Sequence, residues 1–504
     1  MYQLTIKNAT VIDGTGRPPF VTDVAIWDGK IVRVGPSSTD TAQVIDARGL
    51  VLTPGFIDSH SHGDLALSNP DHRENVEQGI TFSVSGQCGS SAAPSCRDGK
   101  LFTMKDLAEQ MQDVPISNHY GILAGHNSLR RLVAGSENRS LTKQELAQMC
   151  RLLEDSMDQG GMGLSLGLTY IPGSYADQSE LIALAKVVGK KGGILAAHIR
   201  NESDDLIPSV EEFLTVCREG GCRGVISHLK AADKANHGKV KDALAMLRKA
   251  QAEGLEVYAD AYPYCASSTS LHSRFIPRQF HPPGTTNVTA LLDDPALCER
   301  IKLWATEKWG TDLSWVLITS CPGHPEYRGK TMNEIADAMG IEDRYEAVFA
   351  LLRETRCRCN CCFTMMAEED VSTVLAHPLV MVGCDATPGN GAPLFHPRRR
   401  TTFPRVLGKY VREERVTSLP EMIRKMTSLP ASVYRLPNKG RIAEGCDADL
   451  CIFDADEIRE TADYVNVNAP NLGLKYVIID GKIVVEDGKY NGTRAARLYL
   501  QKYD

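Results

Sequence analysis

The sequence predicts an α/β protein: a closed, TIM-like (β/α)8 barrel carried inside a small β-sandwich domain that is built from both ends of the chain. Three observations lead there. Eight short apolar runs alternate with helical stretches through the middle of the chain, the pattern of a parallel sheet whose strands are buried on both faces. Short strands and tight turns recur at both termini, like two halves of one domain. Metal-ligand side chains sit where several apolar runs stop, and in such barrels chemistry belongs to the C-terminal ends of the strands.

The terminal segments share one grammar. Leu4–Asp13 reads as a strand, and Val24–Trp27 meets Ile31–Val34 across Asp28-Gly29, a strong hairpin signal. Near the other end, Ala448–Phe453 reads as a strand and Tyr476–Ile479 turns through Asp480-Gly481 into Ile483–Glu486. Residues 1–52 and 438–504 are therefore expected to form the split domain, with 53–437 as the barrel. Its strands are expected at Gly55–His60, Ile80–Ser85, Tyr120–Ala124, Gly161–Leu168, Gly193–His198, Gly224–His228, Leu255–Asp260 and Val380–Asp385. Helices are expected at Lys143–Met157 (capped by Thr142), Glu180–Lys190, Ser209–Glu219 and Val240–Glu253. The stretch between strands seven and eight, from Tyr262 to about Leu379, is too long for a simple loop. It is read as an insert over the barrel mouth, with its body at about 266–350.

At 504 residues the chain is long enough for a barrel of ~250 residues or more and a second unit. A net charge of −7 gives no basic excess, which argues against nucleic acid or an anionic membrane as partner. The N-terminus lacks the charged-then-apolar plan of a signal peptide, and no apolar run reaches the ~18 residues of a membrane span. A cytoplasmic location is expected, in which the 15 cysteines are reduced thiols rather than a disulfide framework. A homo-oligomer is left open.

The HxH of His60-Ser61-His62 closes the first strand run. Residues i and i+2 of a strand share a face, so the two imidazoles could grip one ion. An isolated HxH is more often a pair of loop histidines. Here Cys88, His198, His228 and Asp385 each follow or close a further strand run, and six ligand-type residues at one barrel face make metal binding the better account.

The chain resembles the amidohydrolase superfamily, and within it the N-acyl-D-amino-acid deacylase (D-aminoacylase) family. The resemblance spans nearly the whole chain and rests on PGFIDSHSHGD (54–64), QGITFSVSGQCGSSAAP (78–94), GLTYIPGSYAD (167–177), HIRNE (198–202), SHLK (227–230), DAYPYCASST (260–269) and HPRRRTTFPRVLG (396–408). The first motif marks the superfamily; the QCG, YPY and HPR…TFPRVLG elements narrow it to the deacylases. The resemblance implies one or two zinc ions per chain. Cys88, His198 and His228 would hold the tighter ion, and His60, His62 and Cys88 a weaker one. Many binuclear relatives bridge their metals with a carboxylated lysine or a glutamate on strand four. Gly161–Leu168 has neither, and Cys88 fills that place in the deacylase pattern. Asp385 would be the catalytic carboxylate, within Cys384-Asp385-Ala386 where the family commonly has Ser-Asp-Gly; its alternative is a turn aspartate.

The resemblance assigns the substrate's α-carboxylate to Lys230, Arg398, Tyr170 and Tyr262, with Ser268 assisting. An arginine can form a bidentate carboxylate pair, whereas a lysine acts more as a point charge. Against this, Arg398 lies in an Arg-Arg-Arg run, which is usually solvated surface, but the flanking His396-Pro397 and Thr402–Val406 match favours function. The segment from Asp385 to Arg398, carrying Gly389-Asn390-Gly391, is longer than the family pattern. The implied reaction is zinc-dependent hydrolysis of a small N-acyl-D-amino acid to a carboxylate and a free D-amino acid. Rival readings are a cyclic amidase of hydantoinase or dihydroorotase type, a dipeptidase of unusual linkages, or a non-catalytic assembly protein; none of the expected ligands is missing. Cys357-Arg-Cys-Asn-Cys-Cys362 lacks a matched second pair for structural zinc and is read as a buried strand edge. Gly160–Gly167 lacks the lysine of a phosphate loop. His126-Asn127 reads either as pocket lining or as an ordinary loop.

Overall fold

Runs that are apolar on both faces pair in parallel in the centre of the molecule, as burial of both sheet faces requires. The computed structural model describes residues 2–36, 41–285, 287–388, 396–464 and 466–503. The barrel strands are Phe56–Asp58, Ile80–Ser85, a third broken at Leu123 into His119–Ile122 and Ala124–Gly125, then Gly163–Gly167, Ile194–His198, Arg223–Ile226, Val257–Ala261 and Val380–Val382. Neighbours run parallel and in sequence order. Between the last strand and the first, Ser59 N donates to Val382 O (3.2 Å) and Asp385 N to His60 O (2.8 Å), so the ring closes. Ile57, Phe82, Val84, Ile194, Ala196, Val225 and Met381 share one buried cluster with Leu429, Val433 and Tyr434, residues of or beside the late helix Ser428–Val433.

The helices start where caps are available. Thr142 and Glu145 form a reciprocal capping box on Lys143–Asp158, and Asp177 caps Gln178–Lys191. The helix expected from Ser209 begins earlier, at Leu206. Pro208 falls in its first turn, where a missing N–H costs no helical hydrogen bond.

The insert is longer than its expected body. Its antiparallel sheet comprises Ala266–Ser270, Val316–Ser320 and Asn360–Thr364, with the last in the middle, so it ends past residue 350. Cys357–Cys362 thus leads into a central strand, not an edge. Cys359, Cys361, Cys362 and Phe363 are all buried, which is what a central strand needs. Helices Pro295–Trp309, Met332–Met339 and Arg344–Glu354 complete a separate core that includes Phe275, Ile318, Tyr345 and Phe363. Among the described residues these cysteines join no cluster of three or more metal-type side chains.

Both ends of the chain share one sheet of nine strands. Val51–Pro54 pairs antiparallel with Leu450–Phe453, Thr53 opposite Cys451, around a core of Leu4, Ile6, Val24, Ile26, Leu52, Leu450, Ile452 and Ile478. The final residues leave this sheet and bind the barrel: Tyr499 N donates to Tyr120 O (2.6 Å) and Gln501 N to Gly160 O (2.9 Å). Among the described residues no helix is long and apolar enough to cross a membrane.

Lys425, in the helix Leu419–Met426, is fully buried and donates to Leu375 O. Burial first, then Arg424, pulls its pKa down to about 7, against Glu421. The folded chain therefore binds this proton less tightly than the unfolded one, and stability falls as pH drops from about 10 towards 7. Lys425→Met should raise stability by about 3 kcal/mol at pH 7, the few kcal/mol of the shift less the Leu375 hydrogen bond. The gain should shrink at pH 10, as read by thermal melts at both pH values.

Candidate active site

Ring closure places the first two candidate ligands. The opening strand ends at Asp58, so strand alternation does not orient His60 and His62. The backbone beyond it is held by neighbouring strands instead: Ser61 N donates to Val84 O (2.9 Å) and His62 N to Ala386 O (3.0 Å). Asp58 accepts from His60 N (3.1 Å) and Cys384 N (2.8 Å) and thereby ties strands one and eight; burial raises its pKa to about 7. His62 Nε2 then lies 3.1 Å, and His60 Nε2 3.6 Å, from Asp385 Oδ1.

Cys88 stands on a left-handed turn, with φ of 75° at Gly86, 52° at Cys88 and 79° at Gly89. A non-glycine residue pays for this conformation in strain, and the turn is clamped on two sides. Ser165 Oγ donates to Gly86 O (2.5 Å) and accepts from Gly89 N (3.1 Å). The Asp64 carboxylate accepts from Gly86 N (3.0 Å) and Ala92 N (2.8 Å). A Cβ at Gly167 would lie 2.1 Å from Cys88 O. The end of strand four is glycine because the cysteine's own backbone occupies the space of a side chain there. His228 and Asp385 also hold positive φ, 37° and 49°.

Cys88 Sγ lies 3.3 Å from both His60 Nε2 and His228 Nε2. The donor atoms of His60, His62, Cys88 and Asp385 lie within 4.8 Å of one another, as do those of Cys88, His198 and His228. The far nitrogens of two rings meet carboxylates: His60 Nδ1 faces Asp260 (3.2 Å) and His228 Nδ1 faces Glu202 (2.9 Å), which leaves each Nε2 to point at the sulfur. His198 Nδ1 is buried without a hydrogen-bond partner. Burial opposes every charge in this cluster. His60 and then His228 nonetheless hold the Cys88 thiol well below its usual range, and the thiolate is the metal-binding form. Against burial, Asp260 and then Cys88 push His60 up, while Arg398 and then His228 hold Asp385 well below the usual carboxylate range.

An open cavity is lined by His62, Cys88, Tyr170, Ser268, Asp385 and Arg398, among others. Ser268 comes from the first insert strand. Tyr170 stands edge-on to His198, ring centroids 4.9 Å apart. Arg398 is buried rather than solvated, lies over the Tyr262 ring at 4.8 Å, and has Nη1 3.0 Å from Asp385 Oδ2 without a directed hydrogen bond. The other arginines of the run face Glu74 (3.6 Å) and Glu77 (2.7 Å). Lys230 is engaged by Glu202 (2.6 Å) and lies 2.7 Å from His228 Nδ1. Tyr262 Oη is buried and unpartnered. Gly389-Asn390-Gly391 lies outside the described residues. His126 and Asn127 begin a helix, His126–Ala134, and do not line this cavity. Sequence reading missed Asp260 and Glu202, although each sits in a quoted motif as a carboxylate near a strand end. Asp64 likewise ends a quoted motif, whereas Ser165 carries no comparable signal.

A (β/α)8 barrel with a Cys/His/Asp cluster at its strand ends, inside a sheet shared by both termini, defines a hydrolase of amidohydrolase type. Comparison with known proteins agrees: the amidohydrolase family model matches residues 43–485. The chain is 35% identical to an N-acyl-D-aspartate deacylase of Alcaligenes xylosoxydans xylosoxydans, covering 97% of this chain and 92% of the relative. It is 30% identical to a D-aminoacylase of the same organism, covering 99% and 97%. The structure of an N-acyl-D-glutamate deacylase from Bordetella bronchiseptica, complexed with zinc and a phosphonate inhibitor, superposes with a TM-score of 0.85 at 30% identity, covering 99% of this chain and all of that one. An Arthrobacter aurescens L-hydantoinase, at 15% identity and a TM-score of 0.59, shares the fold. The chain belongs to the N-acyl-D-amino-acid deacylase family of the amidohydrolases.

Gly167→Ala should push back the Cys88 turn and lower the zinc retained after dialysis at least several-fold, measured by atomic absorption. Full zinc retention would show that the turn has room to move.

Proposed function

We propose that this chain hydrolyses the amide bond of N-acyl-D-amino acids, releasing a carboxylate and a free D-amino acid. The observation that carries the reading is the position of Asp385, which has one oxygen beside His60 and His62 and the other beside Arg398. One carboxylate thereby touches both the metal-ligand wall and the cation that suits a substrate carboxylate. The D-configuration follows the relatives named above.

The donor set suits zinc: a thiolate, imidazoles and a carboxylate. The orphaned His198 Nδ1 is the kind of buried nitrogen that an ion would satisfy. Cys88, His198 and His228 would hold the tighter zinc, and His60, His62, Cys88 and Asp385 a second. When bound, zinc acidifies water and polarises the scissile carbonyl. Asp385, kept ionised by Arg398, accepts the proton of the attacking water and delivers it to the departing nitrogen. Arg398 Nη1 is free to make a directed bond to the α-carboxylate, with Tyr170 on the same cavity, Ser268 at its insert side and the Tyr262 ring against the guanidinium. Lys230, engaged with Glu202 and His228, adds charge and holds Glu202 against the histidine. A chain with fifteen cysteines and no disulfide framework in its sequence pattern suits the reducing cytoplasm.

Three variants and the substrate range of the wild type test this reading. Cys88→Ala should lose zinc and turnover together, because it removes an anionic ligand shared by both sites; normal turnover with full zinc would dismiss the ligand assignment. Asp385→Asn should lower kcat by at least ~10²-fold while retaining zinc in the Cys88/His198/His228 site, and an unchanged rate would make Asp385 structural. The wild type should cleave N-acetyl-D-amino acids faster than their L-isomers and carboxamides. Arg398→Ala should cost roughly 10- to 150-fold in kcat/KM on the acid, with little further loss on the carboxamide. Rapid turnover of hydantoins or dihydropyrimidines, with none on D-acyl amino acids, would favour a cyclic amidase instead.

A further inference from the structure

His126 and Asn127 are 0% and 1% exposed, yet the polar atoms of Asn127 go to loops that build the active site. Its backbone N–H donates to Gly89 O at 2.8 Å, on the residue after Cys88. Its side-chain Nδ2 donates to Gly167 O at 3.3 Å and to Tyr170 O at 3.4 Å. A Cβ at Gly89 would stand 2.6 Å from Asn127 Oδ1, and one at Gly173 only 2.2 Å from it. The amide therefore fills a slot between the Cys88 turn and the Tyr170 loop that glycines on both sides leave open. Behind it, His126 Nδ1 lies 3.2 Å from Oδ1 and His126 Nε2 lies 2.9 Å from Glu180 Oε1. Arg130 Nε is 3.1 Å from that same oxygen. The slot is braced by a buried row of polar groups, none of which reaches the cavity.

We propose that Asn127 is a positioning residue for the reaction, setting where Tyr170 stands relative to Cys88 and hence where the substrate lies relative to the metal ligands. The inference rests on the deacylase reading, in which Tyr170 touches substrate. Two walls of one cavity come from separate loops, after strands two and four, and the Asn127 amide joins them. An alanine here removes one of two donors from each of Gly167 O and Tyr170 O, which keep the Tyr170 and Ser174 N–H groups, and opens space on the Tyr170 side, while the backbone contact to Gly89 survives. The loss should therefore fall on substrate placement and spare the metal.

The test uses zinc-loaded wild type, Asn127→Ala, Tyr170→Phe and the double variant, assayed on an N-acetyl-D-amino acid that the wild type hydrolyses, with zinc content measured alongside. Asn127→Ala should retain zinc and raise KM roughly 5- to 10-fold, the size of one or two lost hydrogen bonds, with a smaller fall in kcat. Tyr170→Phe should add little in that background, because its ring is already misplaced. An unchanged KM, an additive Tyr170→Phe effect, or loss of zinc in step with KM would overturn the inference. If Asn127→Ala does not accumulate as folded protein, His126→Ala removes only the brace behind the amide. It should show the same KM-weighted loss in smaller measure, and wild-type kinetics there would overturn the inference equally. A wild type inactive on every N-acyl-D-amino acid would sink the deacylase reading and the inference together. Failure of the inference alone would show as an active wild type with additive variants.

Discussion

Closure of the ring between the first and eighth barrel strands is the constraint on which the site depends. Asp385 N on His60 O and the Asp58 carboxylate on both His60 N and Cys384 N bind the earliest and latest barrel segments to each other. More than three hundred residues of chain separate His60 from Asp385 in sequence, and these few hydrogen bonds set their side chains 3.6 Å apart. Burial raises the Asp58 pKa to about 7, so the tie between the two strands is made by a carboxyl group far less acidic than an exposed one.

The second requirement is to keep a thiol, four imidazoles and a carboxylate together at a largely buried site. Burial disfavours each charge taken singly, so the cluster is stable only as alternating signs: Asp260 behind His60, Glu202 between His228 and Lys230, Arg398 behind Asp385. The left-handed turn at Cys88 costs strain that Ser165 and Asp64 offset with four hydrogen bonds. The glycine at the end of strand four, Gly167, is explained by the same turn.

Much of this was legible in the sequence because it rests on periodicity and on ligand chemistry. Buried runs located all eight strands, and Thr142, read as a cap, located the start of Lys143–Asp158. The sequence was less informative where tertiary pairing decides. The central place of Asn360–Thr364 depends on strands nearly fifty and ninety residues away, so its cysteines could be read as an edge. The carboxylates behind the histidines are ordinary acids in sequence and acquire meaning only when His60 and Asp260 meet across the barrel. The orientation of His60 and His62 likewise comes from neighbouring strands, not from strand alternation.

The insert has a core of its own, yet its strands contribute Ser268, Thr269, Thr319, Ser320 and Asn360 to the cavity. Part of the cavity wall is thus borne by a body stabilised separately from the barrel that holds Cys88, the histidines and Arg398. A substitution along the rim of the insert alters what the cavity meets without loosening a histidine or moving Cys88. Such a division allows a lineage to change its diet while its reaction stays fixed, because drift on one body is not inherited as damage by the other.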